Sequence, residues 1–135
     1  MTSRLRSALT TGVATTALLA LSACGGIAAD APTDASLEDF CTASAAIDRT
    51  AGEFAAGLAE AGTPADVSEQ VRAGFEIYVD ALDDKGDEAY DEARSSLAVP
   101  EDDVEDGDAF IAYMTETCER YFADLAPDGS DVPAP

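Results

Sequence analysis

The three cysteines, Cys24, Cys41 and Cys118, are the residues of this chain best suited to covalent chemistry. Its 28 Asp and Glu are those best suited to proton transfer or cation binding. There is no His, so Ser-His, Cys-His and His-ligated zinc sites cannot be built. Ser-Lys chemistry would have to use Lys85, the sole Lys, which sits beside Gly86 in an acidic turn. Two carboxylates of the kind that hydrolyse glycosides are available by residue type, but a small Ala-rich helical chain offers them no evident cleft. The acids are expected to form a solvated face. No catalytic residue is assigned, and an enzyme is not expected.

Metal binding is tested by spacing. In Asp102-Asp103-Val104-Glu105-Asp106-Gly107-Asp108, placing Gly107 at the sixth position of a calcium loop puts Asp102 first, Val104 third, Asp106 fifth and Tyr113 twelfth. The third position then lacks an oxygen ligand and the twelfth lacks the bidentate Glu, so the pattern fails. The acids Asp83, Asp84, Asp87, Glu88, Asp91 and Glu92 have no ligand spacing either. Weak, delocalised attraction for divalent cations is the most these clusters imply, and no metal site or cofactor is expected.

Cys24 has a different context. Arg4, Arg6 and the amino terminus form a basic n-region, followed by the uncharged stretch Ala8 to Leu21, whose length of about fourteen residues suits a signal-peptide h-region. A spanning helix needs about twenty apolar residues, and Thr10, Thr11, Thr15 and Thr16 dilute this one before Gly25-Gly26 end it. The residues Leu21-Ser22-Ala23-Cys24 (apolar, small, small, Cys) resemble the lipobox of bacterial lipoprotein signal peptides. That resemblance implies a cleaved signal peptide over 1–23, and a diacylglyceryl thioether on Cys24 with a new amino group that a further acyl chain can modify. It also implies a lipid anchor in the cell membrane on the extracytoplasmic face. Each buried methylene contributes about 0.8 kcal/mol and two chains make a stable anchor. The Ala- and Asp-rich composition, with one Lys and no Asn, is similar to that of small cell-envelope lipoproteins of high-GC bacteria.

The formal charge is −21, and all the acids lie beyond Cys24, against Arg49, Arg72, Lys85, Arg94 and Arg120. Nucleic acid is excluded as a partner, because displacing its counterions takes Lys and Arg. A body lying on anionic lipid is disfavoured in the same way. The lipid is expected to hold the protein to the membrane while the charge holds the domain off it.

These groups must be carried by helices. Leu37, Phe40, Ser44, Ile47, Ala51, Phe54 and Leu58 recur at spacings of 3 and 4, which predicts one helix from Ser36 to Ala61, N-capped by Ser36 and ended by Gly62. Thr63-Pro64-Ala65-Asp66 reads as the start of a second helix, with Val67, Val71, Phe75, Tyr78 and Leu82 inward and Gly86 at its close. A short third runs from about Asp87 to Ala98, stopped by Pro100. The acidic run Glu101 to Asp108 reads as a loop, and a fourth helix follows from Asp108 to Ala126. No sustained period-two pattern is present. The expectation is an all-α domain over 36–126, a small antiparallel four-helix bundle of up-down-up-down topology. It lies between a lipidated flexible tether over 24–35, reaching about 35 Å when extended, and a disordered tail over 127–135.

With Cys24 taken by lipid, Cys41 and Cys118 remain in an oxidising compartment. In such a bundle the start of the first helix and the end of the fourth share one end, which makes a Cys41–Cys118 disulfide plausible as a staple for a small core. Tyr78, Tyr90, Tyr113 and Tyr121 are expected at the core edge with hydroxyls in water, Tyr113 standing apart from the main stripe. The functional expectation is a membrane-anchored extracytoplasmic binding module that meets an envelope protein. The alternative is a low-affinity divalent-cation-binding or surface-charge lipoprotein. The oligomeric state is not legible.

Overall fold

Ser36 starts the first helix as its spacing predicts, its hydroxyl oxygen accepting the Asp39 N–H at 3.1 Å. The computed structural model describes residues 25–126; the leader, Cys24 and residues 127–135 lie outside the described residues. The order is α1 (Leu37–Ser44), α2 (Ala51–Ala61), α3 (Glu69–Asp83), α4 (Tyr90–Ser95), a 3-10 turn (Glu101–Asp103) and α5 (Val104–Leu125). Among the described residues there is no strand, only an isolated bridge between Thr50 and Ala89.

The helix expected over 36–61 is a hairpin of two. The chain leaves α1 at Ala45, and Thr50 restarts it with a full capping box: its side chain accepts the Glu53 N–H while the Glu53 carboxylate accepts the Thr50 N–H. Ile47, assigned to the inward stripe, lies in the connection and is 53% exposed. The Ala35 N–H donates to Thr63 O at 3.1 Å, so the start of α1 sits beside the end of α2. The 3-4 apolar spacing runs through the reversal because a period carries no information about chain direction. Among the described residues five α-helices are present where four were expected.

The other boundaries shift for local reasons. Thr63 does not cap a helix: it is buried, its N–H is donated to Pro32 O, and Ser68 caps α3 instead. The third expected helix shortens to Tyr90–Ser95. The acidic run read as a loop forms the 3-10 turn and first turn of α5. Acids at a helix N-terminus are stabilised by the exposed N–H groups and the macrodipole there, so charge density does not oppose helix formation at this position.

The core is aromatic. Phe40, Phe54, Phe75 and Phe110 are fully buried, and Phe110 lies edge-on to Phe75 at 5.6 Å and to Phe40 at 6.4 Å between ring centres. α3 and α5 approach so closely that a Cβ on Gly74 would overlap the carbonyl of Asp106. Cys41 and Cys118 form the expected disulfide, Cα–Cα 5.2 Å, across 77 residues of sequence. The pairing joins two elements that pack on each other directly, α1 and α5.

Two stability predictions follow from these contacts. Gly74→Ala gains roughly 1 kcal/mol of helix propensity, but overpacking against rigid backbone costs about 1–3 kcal/mol or more, so urea unfolding should show a net loss. Cys41→Ala with Cys118→Ala should lower the unfolding free energy by about 2–5 kcal/mol, read as a fall in the urea midpoint.

Candidate functional site

Of the flexible tether expected over 24–35, the described residues 25–35 lie against α3. Ala28 and Ala31 are buried. The Ala28 N–H donates to Asp80 Oδ1 at 3.1 Å, and a Cβ on Gly26 would overlap that same carboxylate. At the other end of the segment the Thr63 N–H donates to Pro32 O at 2.9 Å. Gly62, at φ 78°, leaves no room for a Cβ beside the Pro32 carbonyl.

Arg72 fastens this segment. Its Nη2 donates to Ala28 O at 3.1 Å and Ala31 O at 3.0 Å, and its Nη1 to Pro32 O at 3.1 Å and Thr63 Oγ1 at 3.2 Å. Nε donates to Glu76 Oε1 at 2.9 Å. All five guanidinium donors are thereby engaged, and the cation sits 5.0 Å above the Phe75 ring. Sequence reasoning placed none of this, since three of the acceptors are backbone carbonyls, which leave no mark in side-chain identity.

A second feature is an open cleft of about 250 Å³ beside the disulfide, lined among others by Ile47, Tyr90, Arg94, Met114, Cys118 and Phe122. Ile47 and Phe122 are exposed, as is Leu125 further along α5. Arg94 also borders a smaller cleft of about 200 Å³ with Ile77, Leu97, Val99, Val104 and Ile111. Among the described residues Arg94 has no ion pair or hydrogen-bonded acceptor.

The tyrosines divide differently from expectation. Tyr78 and Tyr90 are buried, and their hydroxyls meet each other at 3.0 Å instead of reaching water. Burial, then the Tyr90 hydroxyl, push the Tyr78 phenol far above its ordinary value, with Arg94 a smaller opposing influence. Tyr113 is half-buried, 6.0 Å from the Phe40 ring, and its phenol is raised by burial and then by Asp66.

Of the residues singled out from sequence, Cys41 and Cys118 are joined, while Cys24 lies outside the described residues. Among the described residues no three acids or cysteines are grouped to hold a metal ion, and no helix is long and apolar enough to cross a membrane. No family model, no curated protein and no solved structure matches this chain.

The Tyr78 shift has a definite pH consequence. A phenol raised by folding contributes stability that is present below its unfolded value of 10.0 and is lost as pH climbs toward its folded value. Urea midpoints should therefore fall above about pH 10. Tyr78→Phe should reduce that fall while costing about 1–3 kcal/mol at neutral pH, because it strands the Tyr90 hydroxyl.

Proposed function

We propose that this chain is a lipid-anchored extracytoplasmic binding module, held to the cell membrane through a diacylglyceryl group on Cys24 and meeting a protein partner of the envelope. The leader with Leu21-Ser22-Ala23-Cys24 carries the anchoring half of the reading. The binding half is supported by the apolar cleft beside the disulfide, where Ile47 and Phe122 stand exposed at its border. Exposed apolar side chains gathered along one groove suit a partner surface better than a cation surface. The reading involves no catalysis, cofactor or nucleic acid.

The function is then positional. An acidic body soluble at high charge carries its groove at the membrane face, and the partner is met within reach of the anchor.

Metabolic labelling with an alkyne fatty acid tests the anchor. The native chain should incorporate label and fractionate with membranes, whereas Cys24→Ala should lose the label and either leave the membrane or accumulate as uncleaved precursor. A processed Cys24→Ala form that stays membrane-bound without label would contradict the reading.

A further inference from the structure

We propose that residues 25–35 form a rigid strap that seats one end of the domain directly on the lipid bilayer, with Ile27 at the point of contact. The proposal rests on the reading of Cys24 as the acylated residue, and adds where the body sits relative to it. Only Gly25 separates Cys24 from Gly26, and two Cα–Cα steps span at most about 7.6 Å. Gly26 is itself fixed by close approach to the Asp80 carboxylate, which also accepts the Ala28 N–H. From there the strap runs antiparallel to α3, through the buried Ala28 and Ala31, to its fastening on Arg72 and Thr63.

The strap therefore begins at the C-terminal end of α3. That end also carries the turn into α4 and, through the Gly52 N–H donated to Gly86 O at 2.8 Å, the start of α2. The loop 62–68 lies at the opposite end, one α3 length away, or roughly 22 Å at 1.5 Å per residue. A free tether would have let the body rise by about 35 Å; the strap removes that reach.

Ile27 fits this placement. It is 41% exposed in the turn beside the anchor, where a bilayer would cover what water otherwise meets. The acids at the same end, Asp80, Asp83 and Asp84, oppose approach to an anionic surface within a Debye length of about 8 Å. A free tether yields to that repulsion by lengthening, so its height changes with salt. A strap fastened by two buried alanines and three guanidinium hydrogen bonds does not.

The test uses the full acylated chain in vesicles of phosphatidylethanolamine and phosphatidylglycerol. Ile27→Cys and Asp66→Cys are each spin-labelled, with Cys41 and Cys118 oxidised and Cys24 acylated, so that the added thiol is the only free one. Depth is read from relaxation by paramagnetic agents confined to water or to lipid. The Ile27 label should lie at headgroup level and the Asp66 label about 20 Å further out, neither moving between about 0.02 and 0.5 M salt.

Arg72→Gln, and independently Gly26→Val, which displaces Asp80 without touching Arg72, should leave vesicle flotation and helical circular dichroism intact. Each should broaden the height of the Asp66 label and make it salt-dependent. Salt-dependent, similar heights for both labels in the unaltered strap would overturn the seating while leaving the anchor standing. Folded strap variants with unchanged heights would overturn the strap as its cause. Failure to float would overturn the acyl reading, and the seating with it.

Discussion

The Arg72 guanidinium is the interaction on which the arrangement of this molecule turns. In a chain of net charge −21 an arginine has many carboxylates to choose from, yet only its Nε meets one, Glu76. The other four donors go to three backbone carbonyls of the strap and to the Thr63 hydroxyl. The side chain is 17% exposed and packed over Phe75, so these bonds form where water competes little and an unmet donor would be costly. Exposed pairs such as Arg120–Glu116 add little by comparison. One residue thereby ties together the strap, the end of α2 and the start of α3.

A core this small gains from such cross-links. Among the described residues the largest fully buried side chains are four phenylalanines, two leucines, a valine, Thr63 and Cys41, and the Cys41–Cys118 bond closes most of the chain into one loop. The disulfide joins α1 to α5 while Arg72 joins the strap to α3, so the two fastenings act on different elements. Between them, the Gly74–Asp106 approach lets α3 and α5 pack backbone to backbone around Phe110. The acids remain on the outside, where mutual repulsion is screened by salt.

Much of the helical content was legible in the residues. Ser36 and Gly62 stand at the caps that the sequence predicts, and Phe40, Phe54 and Phe75 of the apolar stripes are buried. The hairpin between α1 and α2 was missed, because an apolar period of 3.5 survives a chain reversal whose connection happens to keep phase. Its one sequence signal was Thr50 with Glu53, a capping box in the middle of an apparently continuous stripe. The acidic start of α5 was not legible from charge density, because the same acids that suit a loop are also favourable at a helix N-terminus. The strap was the least legible element. Its Gly, Ala and Pro content is that of a linker, and small size is what lets Gly26, Ala28 and Ala31 lie flush against α3.

Residues 25–35 are thus part of the body, and the account turns on that point. Amide hydrogen exchange at Ala28, Ala31 and Ala35 in the intact protein measures it most directly, because each of these N–H groups has a named acceptor: Asp80, Ala28 O and Thr63 O. Protection comparable to that of the α3 amides is the result expected of a docked strap. Exchange at the rate of an unstructured chain at all three positions, with α3 itself protected, would contradict it.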